Sequence, residues 1–128
     1  MELKLNFKLG SKTLNGRYYD PDMLIDQFDK LLNVSGGIPV GPDAANINEQ
    51  TGGVPDDKLV GTVKSYRIDD HNDVWFEIDG LSDLFEDYIN KNPGKVQLTL
   101  YGFGVMDEEK VIHEFMLASL FTTIAVSY

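Results

Sequence analysis

The spacing of hydrophobic and polar residues changes along the chain, and each change marks a predicted element. Residues 2–9 alternate apolar and polar side chains, which is typical of a strand with one buried face. A helix is predicted from Pro21, with Asp20 as its N-cap, to about Asn33. Its buried stripe consists of apolar residues at helical spacing, namely Leu24, Ile25, Phe28, Leu31 and Leu32.

The middle of the chain predicts a short strand, a long loop and a hairpin. Residues 38–40 are predicted to form an edge strand. Residues 41–57 contain prolines and glycines and few large apolar side chains, which indicates a long exposed loop. Residues 59–68 and 74–78 are predicted to be the arms of a β-hairpin, joined by the polar turn 69–73.

The last third of the chain predicts a second helix and further strands. Ser82 is expected to cap the helix, and Asn-Pro-Gly at 92–94 to end it. The predicted apolar face of this helix consists of Leu81, Leu84, Phe85, Tyr88 and Ile89. Residues 95–105 are predicted to form a central strand, and its Gly-Phe-Gly sequence indicates a bulge or a close approach of backbone. Residues 111–116 and 120–126 are predicted to form two more strands, or one long strand with a bend.

This order of elements predicts an α+β fold with a mostly antiparallel β-sheet or small barrel and two helices. A single domain is expected to span residues 1–128, which is enough chain to bury one core. No apolar run approaches the length needed to cross a membrane, and the alternating N-terminus is unlike a signal peptide.

Charge narrows the expected partners. The formal net charge is -10, and a surface this acidic repels phosphate backbones, so nucleic-acid binding is not expected. The same charge favours solubility or a basic protein partner. The chain has no cysteine, which excludes disulfides and thiolate chemistry and fits a cytosolic origin.

Candidate chemistry is sparse. The predicted central strand holds no acid, base or thiol, and its candidate nucleophile is Thr99. The two histidines are His71, in the hairpin turn, and His113. His113 alternates in phase with Val111 and Phe115, so a structural histidine on a buried face is favoured over a catalytic one. The turn at 69–73 has the composition of a calcium loop without its full spacing, so a solvated turn is favoured. The residues alone therefore predict no enzymatic activity, no cofactor and no metal site.

Four stretches, taken in order, resemble the prohead maturation proteases of tailed phages, which share the herpesvirus assemblin fold. Each stretch is similar to a family motif, and together they span nearly the whole chain. They are Leu-Asn-Gly-Arg-Tyr-Tyr at 14–19, the hairpin arms at 60–63 and 74–78, Leu-Thr-Leu-Tyr-Gly-Phe-Gly at 98–104, and the closing strand at 116–125.

The same resemblance implies that the family's catalytic groups are missing. Thr99 and Leu100 stand where the family carries its serine, and Gly41 stands where its histidine would be. Leu117 falls near the position of an acidic orienting residue. The resemblance therefore implies a protease-like fold without protease chemistry.

The leading hypothesis is a non-enzymatic phage head protein that binds the capsid shell as a decoration or auxiliary protein. Its partner would be the major capsid protein or another head protein, in the virion and, during assembly, in the host cytoplasm; self-association stays open. One alternative is an active protease with a displaced triad, using Thr99 or Ser119 with His113. Another is a small binding module unrelated to phages, whose loop at 41–57 binds a ligand. The candidate partner-binding residues of that loop are Gly41, Pro42, Asn46, Asn48 and Pro55.

Overall fold

Two helices pack against a curled, mixed β-sheet in the computed structural model, which describes residues 1–125. This arrangement confirms the predicted α+β class. The strands are β1 (Glu2–Lys4), β2 (Tyr18–Tyr19), β3 (Ile38–Gly41), β4 (Gly61–Ile68), β5 (Val74–Asp79), β6 (Val96–Met106) and β7 (Val111–Ile124). The helices are α1 (Pro21–Val34) and α2 (Asp83–Lys91).

The sheet has the order β1-β5-β4-β3-β7-β2, and β6 pairs with the other edge of β7. Most pairs are antiparallel, whereas β2 and β3 both run parallel to β7. A single bridge between Leu5 and Leu98 brings the two sides of the curled sheet together, so the strands form a half-barrel.

The core lies between α1 and the strands, as the helical periodicity predicted. Asp20 caps α1 by accepting a hydrogen bond from the backbone N–H of Asp22 at 3.0 Å. Leu24 and Phe28 are fully buried. The Phe28 ring lies edge-on to Phe76, with centroids 5.2 Å apart, and joins α1 to the β4–β5 hairpin.

The predicted strand at 2–9 is wrong in its extent. The ladder with β5 covers Glu2–Lys4, and the Leu5 N–H still donates to the Val74 carbonyl at 2.9 Å. The chain then turns away, with the N–H of Asn6 donating to the Leu98 carbonyl at 2.8 Å. Leu5 and Leu9 are nevertheless buried. The alternation therefore predicted which side chains face the core but not how far the backbone stays in the sheet.

The predicted positions of two strands in the sheet are also wrong. Strand β3 is not an edge strand, because it lies between β4 and β7, and its pairing with β7 begins at Val40, one residue after Pro39. Strand β6 is not central. Among residues 1–125 its strand partner is β7, and its other edge has only the bridge at Leu98. The central strand at this side of the sheet is β7, which borders β2, β3 and β6.

Strand β7 is one long strand, which confirms the second form of the prediction for residues 111–124; residues 126–128 lie outside the described part. Two irregularities interrupt its pairing with β6, leaving Ala118 and His113 without a partner in the register. Opposite the first irregularity lies Gly102, where a Cβ atom would collide with the Met116 carbonyl. The close approach indicated by Gly-Phe-Gly is therefore present, whereas the bulged residue lies on β7 and not in Gly-Phe-Gly.

The segment at 41–57 is folded back on the sheet, so its prediction as an exposed loop is wrong in part. Gly41 belongs to β3, and Ile47 and Gly52 are buried. The chain closes on itself at Asn48, whose N–H donates to the Gly53 carbonyl at 2.9 Å and whose carbonyl accepts from the Gly52 N–H at 2.7 Å. This segment has the composition of a loop, but local hydrogen bonds and the packing of Gly52 against Ala118 of β7 hold it in place.

Helix α2 begins and ends as predicted, with Ser82 accepting from the Phe85 N–H at 3.3 Å and Asn92 as the C-cap. Its predicted apolar face is only partly buried. Ile89 is buried, whereas Leu84 is 84% exposed and Tyr88 is 43% exposed. The apolar residues of α2 span a wider arc of the helix than the rest of the protein covers. Ile89 faces the core, whereas Leu84 and Tyr88 lie farther around the helix and stay exposed.

Candidate functional site

The sequence candidates for catalysis are not brought together. Thr99 lies opposite Phe121 in the β6–β7 pairing, whereas His113 is unpaired near Met106. Seven residues of strand separate Thr99 from that end of β6, which corresponds to roughly 20 Å. A nucleophile and its base need hydrogen-bond contact, so Thr99 and His113 do not form a pair.

Ser119 is the other candidate nucleophile, and it is fully buried opposite Tyr101. Its Oγ has no hydrogen-bond partner among the described residues. His113 lies six residues away along the same strand, again roughly 20 Å. The displaced triad that sequence reasoning allowed therefore has no supporting geometry in residues 1–125.

His113 is exposed, and its expected placement on a buried face is wrong. Its Nε2 lies 2.7 Å from Oδ2 of Asp107, in the turn that joins β6 to β7. Hydrogen bonds from the Val111 N–H and from His113 lower the pKa of Asp107. The phase argument failed because His113 is itself the bulged residue, and an unpaired residue interrupts the alternation on which that argument depended.

The positions that resemble the family's triad hold packing residues. Leu100 pairs with Leu120 and packs against the core. The backbone N–H of Leu117 donates to Oε1 of Gln27 at 3.1 Å, which ties β7 to α1. Gly41 lies against Ile47, where a Cβ atom would be 3.4 Å from Cγ1. Each position thus contributes to structure.

A groove nevertheless runs beside β6, the strand that carries Thr99. The groove begins beyond the Leu5–Leu98 bridge, where the N-terminal segment separates from β6. It consists of two hollows of about 260 and 270 Å³, and Arg17 and Tyr19 line both. The first hollow reaches Thr99 and Leu100 of β6. The second reaches Gly102, Gly104 and Met106 of β6 and extends over Ile112 and Phe115 of β7. We refer to the two hollows together as the β6 groove.

The backbone beside the β6 groove is an open sheet edge. The Leu98 carbonyl accepts from Asn6 on this side, and peptide groups alternate in direction along a strand. The N–H and C=O groups of Leu100, Gly102 and Gly104 therefore point away from β7. Past the bridge at Leu98, no strand in the described part of the chain pairs with them. An edge of this kind is a template for a further strand.

Aromatic rings and one cation line the β6 groove. Tyr19 stacks on Phe7 with centroids 5.5 Å apart and meets Phe115 edge-on at 5.3 Å. Arg17 is exposed and forms no ion pair with a carboxylate of residues 1–125. Oδ1 of Asn6 is buried without a hydrogen-bond partner there. The groove therefore offers an apolar floor, a positive charge and open backbone groups.

Sequence reasoning missed this groove because its walls are distant in the chain. The only local signal was the turn at Asn15 and Gly16, where Gly16 has a φ of 81° and the Thr13 N–H donates to the Arg17 carbonyl at 2.8 Å. That turn positions Arg17 and Tyr19 near β6, which begins nearly 80 residues later in the chain.

The five loop candidates have different environments. Gly41 is buried, and Asn46 is held by Asp43, whose Oδ1 accepts from its N–H at 2.9 Å and its Nδ2 at 2.8 Å. Oδ1 of Asn48 accepts from two backbone N–H groups of its own turn. The Pro42 carbonyl accepts from Thr122 at 2.7 Å, and Pro55 is exposed.

The polar turn at 69–73 is organised around one carboxylate. Oδ1 of Asp69 accepts from the N–H groups of His71 and Asp73 at 2.9 and 3.0 Å, and its Oδ2 accepts from Nε1 of Trp75 at 2.9 Å. The hydrogen bond from Trp75, with those from the backbone, lowers the pKa of Asp69 from 3.8 to about 2. Across residues 1–125 no group of three His, Asp or Glu side chains is placed to hold a metal ion.

This carboxylate predicts a pH dependence of stability. Because folding lowers the pKa of Asp69, its stabilising contribution is complete above about pH 4 and is lost as the pH falls towards 2. The urea midpoint of wild type, followed by Trp75 fluorescence, should exceed that of Asp69→Asn at pH 6, and the gap should narrow below pH 4. Asp70→Asn, which alters the neighbouring exposed carboxylate, should show no such gap. A gap that is constant from pH 6 to pH 2 would contradict the assignment.

None of the helices in residues 1–125 combines the length and the apolar character required to cross a bilayer. The stretches at 14–19, 60–63 with 74–78, 98–104 and 116–125 lie respectively in β2 with the turn before it, the β4–β5 hairpin, β6 and β7. Neither a family model, nor a curated protein, nor a solved structure matches the chain.

Proposed function

We propose that this chain is a non-enzymatic head protein of a tailed phage, which binds the capsid shell as a decoration or auxiliary protein. The β6 groove would be its binding site, and an extended segment of the major capsid protein or of another head protein would be its ligand. The observation that carries the proposal is an open strand edge beside a groove in which, among residues 1–125, no candidate nucleophile contacts a base.

Extended segments bind open edges by adding a strand. Main-chain hydrogen bonds supply affinity, and hollows for alternate side chains supply selectivity. Leu100, Gly102 and Gly104 would provide the main-chain partners, and the first hollow, between Asn6 and Thr99, would take a side chain. Gly102 and Gly104 leave room for the Phe115 ring, which a Cβ atom at either position would approach within about 3 Å.

The charge of the groove indicates one feature of the ligand. Arg17 lies where the two hollows meet and lacks an ion-pair partner in the described chain. An acidic side chain on the bound segment would supply that partner, although the chain as a whole is acidic. The assignment to a phage head rests on the resemblance of the four sequence stretches, which is an argument by analogy.

Cosedimentation with purified heads tests the proposal. The protein should sediment with heads at a fixed ratio to the major capsid protein, and Arg17→Glu should weaken this binding about tenfold. Lys30→Glu, on the exposed side of α1, makes the same change of charge outside the groove and should bind like wild type. Heads that contain none of the protein, or equal binding by Arg17→Glu, would contradict the proposal.

A processing assay separates this proposal from the protease alternative. Purified capsid precursor incubated with the protein should remain uncleaved, and His113→Ala should make no difference, because His113 lies far from both candidate nucleophiles. Cleavage that His113→Ala abolishes would restore the protease hypothesis. Binding of an extended peptide without binding of heads would favour a binding module unrelated to phages.

A further inference from the structure

We infer a second docking surface on the exposed side of α2, which takes an amphipathic segment whose apolar side chains are flanked by lysine or arginine. This surface consists of Leu84, Phe85 and Tyr88 of α2 together with Ile124 of β7, and we call it the α2 face. The inference does not depend on the β6 groove or on a phage head as the partner.

The α2 face is apolar and concave. Leu84 is 84% exposed, and Ile124 is 49% exposed. Phe85 and Tyr88, whose rings lie 5.7 Å apart, line two adjoining hollows of about 450 and 300 Å³. Single exposed apolar residues are ordinary on a protein surface, whereas a contiguous apolar hollow of this kind marks an interaction site.

The rim of the α2 face is acidic. Asp83 and Asp87 lie one turn apart on α2, on the side of the helix where Leu84 is exposed. Lys91 is the basic residue of this rim, and it already pairs with Asp87, with Nζ and Oδ2 2.8 Å apart. The rim therefore keeps a negative charge, which is complementary to lysine or arginine at the edges of a docked segment.

The same charge argues against a second copy of this chain as the occupant. Two copies that met through their α2 faces would bring two acidic rims together, and each chain has a formal net charge of -10. Like charges across an interface oppose association. A short amphipathic helix with apolar residues at helical spacing matches both the hollow and the rim, as in other complexes in which a helix lies in an apolar groove.

A pair of synthetic peptides tests the inference. The probe is a helical 14-residue peptide with leucine at positions i, i+3, i+4 and i+7 and lysine at the flanking positions, and in the control peptide glutamate replaces every lysine. Fluorescence anisotropy should show that the lysine peptide binds the full chain more tightly than the glutamate peptide. The affinity for the lysine peptide should decrease as salt is added, because the rim charges are solvent-exposed.

Two matched variants locate the binding. Leu84→Ser should weaken binding of the lysine peptide at least about tenfold, since an exposed anchor contributes to the complex and little to the fold. Val34→Ser, which removes a comparably exposed apolar residue from the end of α1, should bind like wild type. Arg17→Glu should also bind this peptide like wild type, so failure at the β6 groove and failure at the α2 face are separate results.

Three outcomes would overturn the inference. The first is equal affinity for the lysine and glutamate peptides. The second is unchanged binding by Leu84→Ser. The third is a wild-type dimer, seen by analytical ultracentrifugation, that Leu84→Ser dissociates, because it would make a second copy the occupant of the α2 face.

Discussion

Replacing Phe28 with alanine is expected to lower the free energy of unfolding by about 3–5 kcal/mol. Phe28 is fully buried, and its ring meets Tyr66 and Phe76 edge-on with centroids 5.4 and 5.2 Å away. Alanine would remove both aromatic contacts and leave a cavity between α1 and the β4–β5 hairpin. Those elements are joined at this point, so the cavity could collapse only by moving the helix.

Urea unfolding followed by circular dichroism measures this change. The midpoint should shift strongly, and the slope with denaturant should stay close to that of wild type, because the surface exposed on unfolding changes little. Val34→Ala shortens an apolar side chain on the same helix that is 78% exposed, and it should cost less than about 0.5 kcal/mol. Similar losses for the two variants would show that Phe28 does not anchor α1 to the sheet.

Elements with local signals could be predicted from the sequence. Helix α1 begins at Asp20 and Pro21, and α2 begins after Ser82, because capping depends on residues within one turn. The β4–β5 hairpin was predicted from two alternating runs around a polar turn, since both of its arms and its turn are contiguous in sequence.

Pairings between distant strands could not be predicted in the same way. Alternation identified β3 and β6 as strands but does not state which strand lies beside them. The position of β3 between β4 and β7 depends on a parallel pairing between Val40 and Leu120, 80 residues apart. The buried fraction of α2 likewise depends on how much surface the sheet offers to the helix. The spacing of apolar residues in α2 does not predict that surface.

The candidate sites show the same division. Sequence reasoning identified the strand that borders the β6 groove, through Thr99 and Gly-Phe-Gly, but its opposite wall comes from Asn6, Arg17 and Tyr19. The phase of His113 was wrong because a bulge inserts one residue, and a bulge on β7 is visible only in its register with β6.

Replacing Gly52 with alanine is expected to lower the free energy of unfolding by about 2–4 kcal/mol. Gly52 has a φ of 72°, a left-handed conformation that costs an L-residue about 1–2 kcal/mol. Its Cβ would also collide with Cβ of Ala118 and lie 3.2 Å from Cε2 of Phe103. Such overpacking costs about 1–3 kcal/mol. Thermal unfolding and amide exchange at the Gly52 N–H, which donates to the Asn48 carbonyl, measure the loss.

The neighbouring glycine is a matched control. A Cβ atom at Gly53 would meet only Oγ1 of Thr51, at 3.3 Å, so Gly53→Ala should change stability by less than about 1 kcal/mol. The double variant Gly52→Ala with Ala118→Gly removes the collision with Ala118 but not the left-handed strain. It should recover at least about 1 kcal/mol beyond additivity.

This experiment also decides how the segment at 41–57 contributes to function. If Gly52 anchors the segment to β7, Gly52→Ala should speed its cleavage by a nonspecific protease while Gly53→Ala leaves the rate unchanged. An anchored segment presents fixed groups, and it cannot close over a ligand without giving up the contact with Ala118. Equal cleavage rates for wild type and both variants would mean that the contact does not hold the segment, and the loop would again be a candidate for ligand binding. The result therefore bears on the choice between a rigid binding surface at β6 and a mobile loop at 41–57.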